Sequence, residues 1–427
     1  MVTSSTRPSA TAPAADTLLP VSSAVHGFTP DQATELTGRF NFSEMMAGGD
    51  VSLFVFLNFG VAYPSVDVTR CGPVTALEAA RDPGMGKTRV ATAAGELSLS
   101  DYLVHPQSRA QGMIVARHGK IAFEAYPGMR AFDDHVWMSV SKTTVSLLIW
   151  FLADEGRLDV EAPIDTYVTR LRDTDWAGTR VQDLLDMASG MDVVENQATR
   201  DDPQSTIARF SAAALGLPNA DGVLEHELDV IASARRVRAA GEAFEYSSCN
   251  TILLVLAIEA LTGRRWHELL RERVWSRMTV EGDMRVAMSP DGVAQAYGYL
   301  NARLRDLARY GMLFTPSWST VARERIVPDD YIRRVQAGGR PEIYLGGEYG
   351  HRVTTAWFPE DPPSSNTWQW DAIWPDGDMH KAGALGQGLY VSPAEDLVTA
   401  YFSTALANDL TQYARQIATD LRARSDR

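Results

Sequence analysis

Cysteine is nearly absent from this chain of 427 residues: it has two, Cys71 and Cys249. Two cysteines so far apart build neither a disulfide framework nor a cysteine-rich zinc site. Lysine is also scarce. Among 40 basic residues only Lys87, Lys120, Lys142 and Lys381 are lysines, so each one invites a reason. Acidic residues number 54, and the net charge is −14. Phosphate binding needs clustered Lys and Arg, so this balance argues against nucleic-acid and anionic-membrane partners. Long apolar runs are missing too. The longest, 51–63 (VSLFVFLNFGVAY), is too short to span a bilayer as a helix; it reads as a buried strand or core segment. Residues 1–15 are rich in Ser, Thr, Ala and Pro, carry a single positive charge at Arg7, and hold no apolar stretch. They do not read as an export signal, and the expected location is the cytoplasm.

What is present is an ordinary globular composition, 45% hydrophobic and 22% charged, with length for two or three domains. Residues 1–25 read as a disordered tail. Residues 26–95 form an extension whose role is open: a cap on a cleft or a dimer surface. Within it, Thr29-Pro30 reads as a helix start, and Gly84-Met85-Gly86-Lys87-Thr88 lacks the earlier Gly that a phosphate loop requires. From residue 96 the pattern sharpens. Runs 112–117 and 120–126, joined by His118-Gly119, read as a hairpin. Helices are expected at 143–155, 181–188, 205–215, 228–238, 249–261 and 301–314, the last capped by Asn301. Strands are expected at 353–358, 367–371, 388–392 and 397–403, then a final helix at about 405–424. This order, strands at both ends and helices between, implies a sheet assembled from the two ends of the chain around a helical insertion.

Three features carry chemistry. In Ser139-Val140-Ser141-Lys142 the serine and lysine stand at i and i+3 at a helix start, on one face. A serine needs an adjacent base to act as a nucleophile, and a desolvated lysine can supply one. An N-cap serine beside an exposed lysine would give the same letters. Phe244-Glu245-Tyr246 precedes an apolar helix, where a half-buried tyrosine is the plain alternative. His380-Lys381-Ala382-Gly383-Ala384 enters a glycine-punctuated strand whose N–H groups suit an oxyanion; a simple turn into an edge strand is the other reading. No G-x-S-x-G elbow surrounds any serine, which disfavours a Ser-His-Asp triad using His351 or His380.

Together and in this order, these motifs resemble the Ser-x-x-Lys, Tyr and Lys-x-Gly set of the β-lactamase-related serine hydrolases, in their class C branch. Glu155-Gly156-Arg157-Leu158-Asp159, the stretch 184–191 (LLDMASGM), 302–311 (ARLRDLARYG) and Gly386-Gln387 extend the likeness over roughly residues 96–425. Within that group the chain most resembles the 6-aminohexanoate-dimer hydrolases and family VIII carboxylesterases. The resemblance implies an α/β fold of the β-lactamase/DD-peptidase type: an antiparallel sheet flanked by helices, with an inserted helical subdomain at about 160–300 of a domain spanning 96–427. It implies Ser139 as nucleophile, Lys142 and Tyr246 as proton-transfer groups, and the N–H groups of Ser139 and Ala384 as oxyanion hole. Lys381, Gly383, His380, Ser248, Gln197 and Trp370 are expected to contact substrate, Lys381 by attracting an anionic group. The implied reaction is cleavage of a small-molecule ester or amide through an acyl-enzyme, with no cofactor or metal. A homodimer is compatible with it. An acyltransferase using the same acyl-enzyme is the alternative, and a non-catalytic binding protein the more distant one. The pattern also departs from the family. Ser248 stands where β-lactamases have Asn, Ala382 where they have Thr, and the loop 192–197 (DVVENQ) lacks the Tyr that nylon-oligomer hydrolases use for amide cleavage.

Overall fold

The computed structural model describes residues 18–425. The expected tail lies outside it as far as residue 17, and Val21–His26 forms a 3₁₀ turn. Helix α1 (Pro30–Arg39) begins where Thr29-Pro30 predicts. The Thr29 hydroxyl accepts from the Gln32 N–H while the Gln32 side chain accepts from the Thr29 N–H, so two otherwise free donors are satisfied reciprocally. Helices α2 (Phe42–Met46) and α3 (Asp50–Leu57) follow. Of the two readings of 51–63, helix α3 bears out the core segment and not the strand. Every residue from Val51 to Phe56 is buried, so the run is apolar on all sides and shows neither the helical nor the strand period.

Further along lie α4 (Lys142–Asp154), α5 (Ser248–Thr262), α6 (Leu304–Met312) and α7 (Asp409–Ser425). The main sheet has seven strands: β1 (Ala110–Arg117), β2 (Lys120–Ala125), β3 (Ser365–Thr367), β4 (Trp370–Ile373), β5 (Met379–Gly383), β6 (Gln387–Ser392) and β7 (Leu397–Ser403). Their spatial order is β2-β1-β7-β6-β5-β4-β3, antiparallel at every step. The last strand lies beside the first, with Leu397 opposite Arg117 and Tyr401 opposite Met113. The sheet is thus built from both ends of the chain, as its pattern predicts. Alternate residues serve opposite faces. Val398, Ala400 and Phe402 join the core beneath α6, whereas Leu397 and Tyr401 join the core beneath α7.

A second sheet ties the extension to the rest. Its strands run in the order Ser65–Val68, Met284–Ala287, Leu300–Arg303 and Asp134–Val136. Leu300–Arg303 corrects the helix expected from 301: these residues pair with Asp134–Val136, and the helix starts only at Leu304. Strand pairing across the fold overrides the local helical signal. Two other expectations change. Residues Val353–Trp357 form a wide helical turn rather than a strand. The strand expected at 367–371 is a hairpin, turning at Trp368 and Gln369, both with positive φ. The side chains hold that turn: Trp368 is buried in the core, and Gln369 donates to Leu184 O and accepts from Thr251.

Helix α6 sits directly on the sheet. A Cβ on Gly311 would fall 2.6 Å from Val398 Cγ1 and 2.8 Å from Leu389 Cδ1. Gly311→Ala should therefore lower stability by about 1–3 kcal/mol through overpacking, read as a lower denaturant midpoint with unchanged m-value.

Candidate active site

Strand Asp134–Val136 ends at Trp137, whose N–H donates to Leu300 O. The chain then enters a 3₁₀ turn, Met138–Ser141, before α4. In a 3₁₀ turn residues i and i+3 eclipse, and Lys142 Nζ accordingly reaches Ser139 Oγ at 3.1 Å. Met138 adopts φ +47°, a costly conformation for a bulky residue. Its neighbours hold it there. A Cβ on Gly383 would lie 2.9 Å from both Met138 Cβ and Trp137 O, so β5 approaches the serine turn as closely as a bare backbone permits. The next peptide is oriented by its carbonyl. Gly386 N–H donates to Gly383 O at 3.2 Å, and in a trans peptide this turns the Ala384 N–H the opposite way.

Lys142 is fully buried. Its amine donates to Ser139 Oγ, to Ser248 Oγ at 3.1 Å and to the Tyr297 carbonyl at 2.6 Å. Burial pushes its pKa down to about 7; Glu195 opposes this and Lys381 adds to it. Tyr246 closes the group. Burial pushes its phenol well above the ordinary value, Asp371 adds to this, and a hydrogen bond from Ser139 opposes it. Tyr349 stacks on the Tyr246 ring at 4.4 Å. The arrangement places a hydroxyl, an amine near neutrality and a protonated phenol around one point at the floor of a cleft of about 510 Å³. That is the equipment of nucleophilic acyl chemistry.

The sequence profile of the Beta-lactamase family matches residues 101–422. The chain belongs to the Beta-lactamase family. A 6-aminohexanoate-dimer hydrolase of Paenarthrobacter ureafaciens is 28% identical over 353 residues, covering 82% of this chain and 85% of that protein. A Bacillus anthracis structure assigned as a 6-aminohexanoate-dimer hydrolase superposes with TM-score 0.70 at 23% identity, over 89% of this chain and 96% of its own. EstA of Arthrobacter nitroguajacolicus Rue61a shares the fold at TM-score 0.53 and 13% identity, over 76% of this chain and 95% of its own. The fold is that of the family, an antiparallel sheet flanked by helices, and the chain is a hydrolase of the serine type that such relatives represent.

Within this Beta-lactamase-family site the structure sorts the expected contacts. Ser248 lines the cleft and starts α5; its hydroxyl takes the Lys142 bond. Gly383, Ala384 and Gln197 also line the cleft, with the Gln197 amide donating to Asp201 at 2.8 Å. His380 turns away. It is buried in the core beneath α7, with Nε2 2.9 Å from the Tyr401 hydroxyl, because neighbouring residues of a strand face opposite sides. Burial, then Lys381, pushes its pKa down to about 3. Trp370 is likewise a core residue, edge-on to Phe314 at 5.3 Å. Lys381 differs from expectation in another way. It is fully buried, donating to Asp371 Oδ1 at 2.5 Å and to the Tyr246 hydroxyl at 3.1 Å. Its charge is therefore taken up inside the protein rather than offered to an anionic substrate.

Sequence reasoning missed three neighbours of this group. Asp371 was legible. Counting outward from the Pro375-Asp376-Gly377 turn pairs Ala372 with His380, which places Asp371 opposite Lys381. Glu195 and Tyr349 left no such signal, since Glu195 arrives on a loop and Tyr349 on the short helix Glu348–Arg352, neither in register with the motif strands. Glu195 accepts the Ser248 N–H at 2.5 Å. Burial raises its pKa, but Lys142 and Arg200 outweigh this and hold it below the ordinary carboxylate value.

Breaking the Lys381–Asp371 pair leaves a buried charge unmatched. Asp371→Ala should destabilise the fold by about 3–5 kcal/mol. The double replacement Lys381→Met with Asp371→Leu should recover most of that loss. Chemical denaturation of the three proteins checks both expectations.

Proposed function

We propose that the chain cleaves a small-molecule ester or amide through an acyl-enzyme on Ser139. The observation that carries this reading is the 3.1 Å contact between Ser139 Oγ and the buried amine of Lys142, whose pKa is pushed down to about 7. Near neutral pH much of that amine is unprotonated and can accept the serine proton. Ser139 Oγ then attacks the carbonyl carbon, and the oxyanion is met by the N–H groups of Ser139 and Ala384. Neither N–H is used in backbone hydrogen bonding among the described residues, which suits them to that role.

Tyr246 stays protonated because burial holds its phenol up. It protonates the leaving oxygen or nitrogen as the acyl bond breaks, and the proton taken up by Lys142 restores it. The Lys381 ammonium beside its hydroxyl steadies the transient phenolate. Water then attacks the acyl-enzyme with the roles reversed, giving up one proton to the same pair while Ser139 regains its own. That the chain's relatives are named as 6-aminohexanoate-dimer hydrolases supports hydrolysis as the outcome. The loop 192–197 contributes Glu195 and Gln197 to the cleft rather than a tyrosine, so ester cleavage stands beside amide cleavage. A cytoplasmic setting accords with two free thiols, exposed Cys71 and buried Cys249. No described helix is long and apolar enough to cross a membrane.

Intact-protein mass spectrometry with p-nitrophenyl esters and a linear amide tests the reading. An acyl adduct mapping to Ser139 is expected, with Ser139→Ala losing about 10⁴-fold or more in turnover. Lys142→Ala and Tyr246→Phe should each lose about 10²–10⁴-fold, non-additively. Near-normal turnover by Ser139→Ala would refute the mechanism.

The pH profile is a separate check. The active form of Lys142 is the free amine, so kcat/KM should rise with pH through an inflection near 7. Glu195 favours the ammonium, so Glu195→Gln should move that inflection to lower pH. An inflection that stays in place would remove Glu195 from this role.

A further inference from the structure

The N-terminal extension has no part in the chemistry above, yet it borders the cleft. Phe42 and Met46 stand at i and i+4 on α2, on one face, and both line the cleft that holds Ser139. Met45, beside them, is buried and pins the helix: its carbonyl accepts from the Ser52 hydroxyl at 2.6 Å and its sulfur from the Tyr63 hydroxyl at 3.2 Å. The same apolar cluster includes Met138 and Leu385, which flank Ser139 and Ala384 in sequence. One half of the cleft is therefore apolar, while Glu195, Arg200 and Arg352 also line it.

The apolar half does not end at α2. A second cavity of about 680 Å³ shares Ala47 and Leu406 with the cleft. Its walls are mainly aliphatic, among them Leu19, Val21 and Val104. The charged groups on those walls face protein partners. Arg109 pairs with Asp50 at 3.6 Å, and Asp409 accepts from the Tyr102 hydroxyl at 2.9 Å. Two large aliphatic side chains nevertheless stand open to solvent, Leu406 at 62% and Val104 at 74% exposed. The first is at the junction and the second in the far cavity. Exposed apolar surface lining a concave site is what an apolar ligand covers.

We infer that the acyl half of the substrate is a long alkyl chain, which runs from Ser139 past Met46, Ala47 and Leu406 into this second cavity. The substrate class is an ester or amide of a long-chain fatty acid, and the N-terminal extension is its specificity wall. The inference rests on the acyl-enzyme reading of Ser139. What singles out an alkyl chain is that the two cavities adjoin at Ala47 and Leu406 and that the charges on the far one are paired internally.

The test has a kinetic arm and a binding arm. In the first, p-nitrophenyl esters from acetate to palmitate are hydrolysed by the full chain and by Leu406→Trp and Val104→Glu. Both substitutions fall on exposed side chains, which the fold should tolerate. The ratio of palmitate to acetate kcat/KM should fall by about tenfold or more in each variant. In the second, the fluorescent fatty acid cis-parinaric acid is titrated into Ser139→Ala, where binding is expected, and into Ser139→Ala with Val104→Glu, where it should weaken by about tenfold. Acetate as best substrate, with no parinaric binding, overturns the inference. So does a palmitate-to-acetate ratio that neither variant moves. Probe binding that appears only after residues 1–17 are removed makes the chain's own leading segment the occupant and overturns it as well. Val104-sensitive probe binding without an adduct at Ser139 on any ester supports the apolar site and refutes the acyl-enzyme reading alone.

Discussion

The site depends on an amine that has lost its water. Lys142 begins a helix inside the protein, and among the described residues its Nζ donates to two hydroxyls and one carbonyl, with the Tyr246 and Tyr297 rings 5.0 and 5.4 Å away. An ammonium in such surroundings is penalised by desolvation, and the positive end of the helix dipole opposes it further. The partially charged acceptors around it replace only part of the lost hydration. The result is an amine whose pKa is pushed down to about 7, eclipsed on the serine by the 3₁₀ turn. The surrounding architecture serves to hold that turn: a positive-φ methionine before the serine, a bare glycine on the adjacent strand, and a carbonyl-anchored peptide at Ala384.

The second lysine shows how the same residue type is put to a different use. Lys381 is as buried as Lys142 but has a carboxylate, Asp371, in contact. Burial presses Lys381 down and Asp371 up, and their pairing opposes both shifts. A paired lysine is a source of fixed positive potential rather than a base. It lies 4.6 Å from the centre of the Tyr246 ring and donates to its hydroxyl, so the phenol is flanked by one amine that can exchange protons and one that holds its charge. In a chain with four lysines, two meet at a single tyrosine.

The extension and the hydrolase body form a common structure around this point. Ser65–Val68 belongs to the sheet whose far edge, Asp134–Val136, delivers the serine turn. An aromatic series runs from Phe40 through Tyr63 and Tyr299 to Tyr297, whose carbonyl holds Lys142. The wall formed by α2 is therefore braced by the same elements that position the proposed base.

Much of this was legible in the sequence. The spacing of Ser139 and Lys142, the tyrosine before an apolar helix and the glycine-punctuated strand each reflect local backbone geometry, and local geometry is written in neighbouring residues. The strand–helix–strand order likewise implied a sheet closed from both ends. The failures share one cause. Helix α3 is apolar on every side, Leu300–Arg303 is a strand because it has partners at 134–136 and 284–287, His380 points into the core beneath α7 while its neighbour Lys381 points to Tyr246, and Trp370 packs on Phe314 in the core beneath α6. Each was decided by what packs against the segment. Residue type and spacing alone determined which chemistry the chain is equipped for. Only the tertiary structure decided that Lys142 is buried with no carboxylate in contact among the described residues, that Lys381 is buried and paired with Asp371, and that Glu195 and Tyr349 stand beside them. Burial and pairing are properties of surroundings assembled from distant parts of the chain, and no local pattern records them.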